Sequence, residues 1–124
     1  MILCDTNILI EFYKGNSAVI DVLQDIGISN LAVSIATTGE LFYRAKDKRE
    51  LRKIQKHLTL INQIPLDTNI STRFLSLLEE YALSHKLSVP DGLIAATSLS
   101  HSIPLYTLNK KDFQFITDLQ LHRF

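Results

Sequence analysis

The sequence predicts an α/β domain in which a small, mainly parallel sheet is covered by helices. Short apolar runs alternate along the chain with segments of helical periodicity, an order typical of parallel strands joined by helices. The first run, Met1 to Cys4, ends directly at Asp5, as expected for a buried strand that delivers a carboxylate to its C-terminal end. At 124 residues, the chain has the length of a single domain, 1–124, with a substantial core.

The strands are expected at short runs of aliphatic or aromatic residues. These runs cover residues 1–5, 31–33, 64–66, 103–107 and 119–121. Pro65 places the third strand near an edge of the sheet, because proline cannot donate a ladder hydrogen bond. The pattern leaves the strand order open.

Helices are expected where apolar residues recur three or four positions apart. They cover residues 7–14, 17–26, 37–46, 48–60, 68–86 and 90–100. Gly15 and Gly27 follow the first two helices and are typical terminators, whereas Ser88 is expected to cap the last helix.

Composition and charge are those of an ordinary soluble protein, with 46% hydrophobic residues, 21% charged residues and a formal net charge of zero. The apolar runs are shorter than the roughly 18 residues of a membrane span, and the N-terminus lacks a charged leader with a cleavage site. The single cysteine, Cys4, cannot form an internal disulfide and is most simply a small core residue. We therefore expect a cytoplasmic protein with no membrane association.

Acids stand at several predicted strand ends or helix starts: Asp5, Glu40, Asp91 and Asp112. Each also has a structural explanation. Thr37-x-x-Glu40 and Ser88-x-x-Asp91 have capping-box spacing, Asn109-x-x-Asp112 resembles it, and Asp5 is equally explained as a turn residue. Strand-to-helix junctions nevertheless gather at one edge of an α/β sheet, so we expect the acids to converge.

Converging carboxylates repel each other, so that either one of them binds a proton or a cation compensates the charge. Mg²⁺ or Mn²⁺ is the natural cation, because both prefer oxygen ligands. The sequence shows no Cys/His cluster for zinc, no recognisable nucleophile motif and no glycine-rich phosphate loop. A metal-activated water attacking a phosphodiester fits these observations.

A basic segment follows the third predicted helix. Arg44, Lys48, Arg52 and Lys56 recur every four residues, and on a continuous helix they would form one stripe able to hold RNA phosphates. The alternative is a solvated helix face, and a helix break near Asp47 would interrupt the stripe.

The first two predicted helices carry more apolar surface than one small sheet needs to cover. This surface comprises Leu9, Phe12, Tyr13, Val19 and Val22. Core packing and a groove for a partner both explain it, and the sequence leaves the two open.

Segments with characteristic residues occur in order along almost the whole chain. They are Asp5-Thr6-Asn7, Glu40-Leu41, Pro90-Asp91-Gly92-Leu93-Ile94-Ala95-Ala96-Thr97 and Tyr106-Thr107-Leu108-Asn109-Lys110-Lys111-Asp112-Phe113. Together they resemble the PIN-domain ribonucleases, and most closely the VapC toxins of bacterial type II toxin–antitoxin pairs. The resemblance implies a three-layer α/β/α fold and a Mg²⁺- or Mn²⁺-dependent endoribonuclease.

By position, the resemblance implies that Asp5, Glu40 and Asp91 hold the metal ion and position the attacking water. The chain departs from many PIN domains at Asn109, where a fourth acid is common, and Asp112 is the candidate to serve instead.

The resemblance also assigns supporting roles and partners. Asn7, Thr107 and Asn109 match positions around the acids, of which Asn7 and Thr107 would orient them. Expected partners are an RNA substrate, a second copy of the chain in a homodimer, and a VapB-like antitoxin that docks over the active site.

Other function classes fit less well or remain as alternatives. A phospho-receiver domain needs adjacent acids after the first strand, and a haloacid-dehalogenase-type phosphatase needs Asp-x-Asp, whereas this chain has Asp5-Thr6-Asn7. The closer alternative is a PIN-fold RNA-processing nuclease, or a non-catalytic RNA-binding protein, outside a toxin–antitoxin pair.

Overall fold

The computed structural model describes residues 1–123, and a four-stranded, wholly parallel sheet forms the middle of the fold. The strand order is β3-β2-β1-β4. The strands are β1 Ile2–Cys4, β2 Leu31–Ser34, β3 Asn62–Ile64 and β4 Leu105–Tyr106. Leu3 of β1 lies opposite Ala32 on one side and Leu105 on the other, so the first strand of the chain is central.

Helices cover both faces of the sheet. They are α1 Thr6–Tyr13, α2 Ser17–Ile26, α3 Ile35–Arg44, α4 Lys48–Leu58, α5 Thr68–His85 and α6 Val89–His101. Successive strand residues point to opposite faces, and accordingly Leu3 joins a core cluster with residues of α5 and α6, whereas Cys4 joins a second cluster with residues of α1, α2 and α4. The expected three-layer α/β/α fold is confirmed.

Two strand predictions were wrong. The third strand is Asn62–Ile64 rather than 64–66, because the Asn62 side chain donates to the carbonyls of Ser29 and Leu31 and fixes an earlier register. Pro65 follows this edge strand instead of lying in it. The expected fifth strand is reduced to a single bridge between Leu105 and Leu121, which is too short a pairing to form a strand.

The start of α3 also differs from the prediction. The helix begins at Ile35 and is capped by Ser34, whose Oγ accepts a hydrogen bond from the backbone N–H of Ala36 at 2.9 Å. Thr37 and Glu40 therefore lie within the helix, and the predicted capping box was wrong. Both side chains are available for contacts across the fold.

No helix within residues 1–123 combines the length and the apolar character that crossing a membrane requires.

Candidate active site

Asp5 lies at the C-terminal end of the central strand and is only 4% exposed. It caps α1, because Oδ1 accepts a hydrogen bond from the Thr6 N–H at 2.7 Å. Its other oxygen, Oδ2, accepts from Thr107 Oγ1 at 2.8 Å, directly after β4. The turn role and the site role considered for Asp5 are thus compatible.

Glu40 reaches the same edge of the sheet from α3. Its Oε1 lies 2.8 Å from Thr6 Oγ1, and that hydroxyl also lies 3.0 Å from Thr37 Oγ1. The sequence predicts a capping role for Thr37 and no separate role for Thr6. The position of Thr6 directly after Asp5 is the only feature of the sequence that could have indicated its contact with the acids.

Asp91 enters from the first turn of α6. Ser88 caps this helix as expected, with its Oγ accepting from the Asp91 N–H at 3.2 Å. Burial, followed by the negative charges of Asp5 and Asp112, raises the pKa of the half-buried Asp91 carboxyl to about 6, and Glu40 adds a smaller push. The ionised form of Asp91 is therefore destabilised by its surroundings in the folded protein.

Asp5 responds to the same neighbours. Burial raises the pKa of Asp5 most, the hydrogen bonds from Thr107 and Thr6 lower it, and the charges of Glu40 and Asp112 raise it further. Glu40 and Asp112 thus act electrostatically on both Asp5 and Asp91 at one edge of the sheet.

The outer rim of this acidic cluster comes from the segment after β4. Asp112 is exposed in a short 3₁₀ turn, Lys110–Asp112. The expected Asn109 cap was wrong, because its side chain makes no capping hydrogen bond there. Instead the Asn109 backbone N–H donates to Thr107 Oγ1 at 3.0 Å. The same Thr107 hydroxyl donates to Asp5, so Asn109 contacts Asp5 only indirectly, through Thr107.

Asn7 is half-buried in the first turn of α1. Its side chain makes no hydrogen bond to another described residue, so its orienting role stays a prediction.

The residues suited to a divalent cation are Asp5, Glu40 and Asp91. Within residues 1–123, no three acidic, cysteine or histidine side chains are already arranged around a point that could hold a metal ion. The donor set is nevertheless all oxygen, as Mg²⁺ and Mn²⁺ prefer. Burial and, after it, repulsion between the acids raise the pKa of Asp5 and Asp91, and a cation would compensate both effects, so the chemistry of the residues fits.

The basic stripe is divided by the helix break near Asp47. Arg44 ends α3, Lys48 begins α4, and Asp47 caps α4 by accepting from the Glu50 N–H at 2.8 Å. Lys48, Arg52 and Lys56 remain on one helix and are exposed. Arg44 belongs to a different surface.

That surface is a groove of about 740 Å³ between α1, α3 and α4. Its walls are largely apolar, from Ile10, Phe12, Leu41 and Ile54. Its rim carries Arg44, Lys46 and Lys53 against the single acid Glu50. The groove is therefore apolar inside and positively charged at its edge.

An aromatic cluster closes one end of the groove. Phe12 stacks on His57 with ring centroids 5.1 Å apart, and the Tyr13 hydroxyl lies 2.8 Å from His57 Nδ1. Of the apolar residues noted on the first two helices, Leu9 and Val19 are buried in the core, whereas Phe12 and Tyr13 line the groove. Core packing thus explains Leu9 and Val19, whereas Phe12 and Tyr13 remain at an open groove whose partner stays a prediction.

Comparisons with known proteins agree with this architecture. The PIN domain family matches residues 2–117. A chain of a toxin–antitoxin complex from Klebsiella pneumoniae is 32% identical with a TM-score of 0.82, covering 96% of this chain and 95% of that one. A chain of VapBC-1 from nontypeable Haemophilus influenzae is 27% identical with a TM-score of 0.83, covering 98% and 97%. A chain of DNA-bound VapBC from Salmonella typhimurium has a TM-score of 0.86 at 22% identity, with 98% and 96% covered, and shows the shared fold. No curated protein matches the sequence.

Proposed function

The chain belongs to the PIN-domain family, and on that premise we propose that it is a Mg²⁺- or Mn²⁺-dependent endoribonuclease, the VapC-like toxin of a toxin–antitoxin pair. The observation that carries this proposal is the gathering of acids at the carboxyl edge of the sheet, where Thr6 links Asp5 to Glu40 and where the charges of Glu40 and Asp112 raise the pKa of Asp5 and Asp91. Similarity to chains from toxin–antitoxin complexes supports the toxin assignment.

In this mechanism Asp5, Asp91 and Glu40 would hold the ion, which would supply a water molecule of lowered pKa and compensate charge on the phosphate. Asp5 is kept in one orientation by Thr107 and by the Thr6 N–H. Glu40 accepts a hydrogen bond from the attacking water and guides it toward phosphorus. Asp112, exposed at the rim, would serve as the fourth acid in place of Asn109.

The test is cleavage of total RNA by purified protein with Mg²⁺ or Mn²⁺, beside the variants Asp5→Asn and Asp91→Asn. Both variants should lose activity and should keep the wild-type circular dichroism spectrum. Asp21→Asn, an exposed acid on α2, is the matched control and should cleave like wild type. Equal cleavage by all four proteins would identify a contaminating nuclease and sink the assignment.

The groove between α1, α3 and α4 supports an antitoxin partner. Its apolar walls and its rim of Arg44, Lys46 and Lys53 complement a segment with apolar side chains and acidic flanks. Co-expression with the product of an adjacent small reading frame should yield a stable complex without RNase activity. Lys53→Glu, which reverses an exposed charge at the groove without disturbing the core, should weaken the complex.

A homodimer is supported by exposed apolar side chains on one face of α3. Ile35, Phe42 and Tyr43 are spaced i, i+7 and i+8, which places them on the same side of the helix, and Tyr43 is 92% exposed. Sedimentation analysis should detect a dimer, and Tyr43→Ser should weaken it. With RNA as the substrate, the proposed place of action is the cytoplasm.

A further inference from the structure

Thr6 contacts two of the acids at once, through different atoms. Its backbone N–H donates to Asp5 Oδ1 at 2.7 Å, and its hydroxyl lies 2.8 Å from Glu40 Oε1. The hydroxyl also lies 3.0 Å from Thr37 Oγ1. Thr6 is 4% exposed and Thr37 is fully buried, so both hydroxyls are shielded from bulk water.

The direction of the hydrogen bonds follows from the number of protons. Ionised Glu40 can only accept, whereas each threonine hydroxyl has one proton to donate. The proton of Thr6 goes to the carboxylate, because a bond to a charged acceptor is the stronger one. Thr37 Oγ1, at 3.0 Å, is a second and more distant acceptor for the same Thr6 proton. The Thr6 hydroxyl is therefore held between Thr37 and Glu40.

The Thr6 hydroxyl makes the only hydrogen bond that holds the Glu40 carboxylate among the described residues. The bond is made at Oε1, and Oε2 accepts no hydrogen bond and joins no ion pair within residues 1–123. Glu40 would otherwise be a flexible side chain on a half-exposed helix position. Anchoring one oxygen fixes the carboxylate and leaves the other available.

We propose that Thr6 and Thr37 are positioning residues, which hold Glu40 so that its second oxygen faces the metal ion or the attacking water. This inference rests on the proposed function, because it assigns the task of Glu40 within that site. It also explains why a threonine directly follows Asp5: the same residue sets the separation of two acids that are far apart in sequence.

The experiment compares Thr6→Val with Thr6→Ser. Valine keeps the shape and the N–H bond to Asp5 but removes the hydroxyl, whereas serine keeps the hydroxyl. Thr38→Val is the matched control, because Thr38 is the next residue on α3, is buried, and donates its hydroxyl elsewhere, to Gln63 at 3.3 Å. The readouts are Mn²⁺ affinity, by electron paramagnetic resonance titration, and kcat and KM for RNA cleavage.

Thr6→Val should weaken Mn²⁺ binding about tenfold or more and lower kcat by a similar factor with little change in KM, as expected when a partner of a metal ligand is lost. Thr6→Ser should return both to within about twofold of wild type, and Thr37→Val should show a smaller loss than Thr6→Val. Thr38→Val should bind and cleave like wild type.

Wild-type Mn²⁺ affinity and kcat in Thr6→Val would overturn the inference. Equal losses in Thr6→Ser and Thr6→Val would also overturn it, because packing of the methyl group would then be responsible. If Thr6→Val fails to fold, the Mn²⁺ affinity and kcat of Thr37→Val test the inference instead, and wild-type values of both would overturn it. An RNase-inactive wild type whose Mn²⁺ affinity falls in Thr6→Val would refute the proposed function and still support the positioning role.

Discussion

The hydroxyl of Thr107 donates to the carboxylate of Asp5 at 2.8 Å, although the two residues are 102 positions apart in the sequence. The contact links the ends of β4 and β1, which are neighbours in the sheet. It also lowers the pKa of Asp5 against the effect of burial. The ionised form of the most buried acid of the site therefore depends on a strand from the other end of the chain.

Removing this hydroxyl should impair both stability and metal binding. Thr107→Val leaves a buried carboxylate oxygen without a partner, at a cost of about 1–3 kcal/mol. Metal affinity and RNase activity should fall about 10- to 100-fold. Thr107→Ser keeps the donor and should recover most of each property. Chemical denaturation and a Mn²⁺ titration measure the two effects, and a Thr107→Val protein equal to wild type in both would contradict the assigned role.

Stability without metal should fall as the pH rises toward neutrality. The pKa of Asp91 is about 6 in the folded protein against an ordinary 3.8, so the folded state binds more protons between those values. Stability from this group is therefore present below about pH 4, declines up to about pH 6 and stays lower above it. The difference in melting temperature between Asp91→Asn and wild type isolates this contribution and should grow with pH.

Binding of Mg²⁺ should restore the folding stability that is lost as the pH rises. Mg²⁺ binds ionised carboxylates, so it should raise the melting temperature of wild type more at pH 8 than at pH 5. Asp91→Asn should show little increase at either pH. The same increase in Asp91→Asn as in wild type would place the ion elsewhere.

Gly92 permits the close approach of α6 to α5. A Cβ atom at this position would lie 3.2 Å from side-chain carbons of both Phe74 and Leu78. Gly92→Val should therefore destabilise the fold by about 1–3 kcal/mol through overpacking. Gly39→Val is the control, since nothing lies within 4 Å of the equivalent atom, and it should be nearly neutral. Denaturant unfolding distinguishes the two variants.

The exposed basic face of α4 should contribute to RNA binding. Arg52→Ala should raise KM a few-fold at low salt and reduce the salt dependence of binding, because one phosphate contact is lost. Arg73→Ala, an exposed arginine on α5 at the other face of the sheet, should change neither. If wild type, Arg52→Ala and Arg73→Ala show the same salt dependence of RNA binding, the basic face of α4 is simply a solvated surface and does not bind RNA.

Local patterns in the chain are enough to predict the fold class and the element on which each acid lies. Strands and helices were recognisable because their apolar periodicity is a local property, and Ser88 capped its helix as its spacing predicts. Asp5 could be placed at a strand end for the same reason.

Tertiary structure decided which contacts those residues make. Thr37-x-x-Glu40 has the spacing of a cap, but Ser34 at the end of β2 starts α3 earlier, and both side chains turn to Thr6. The parallel register then brings Thr107 to Asp5. Residues more than thirty positions apart meet here because strand order and helix packing set their distance, which no local pattern encodes.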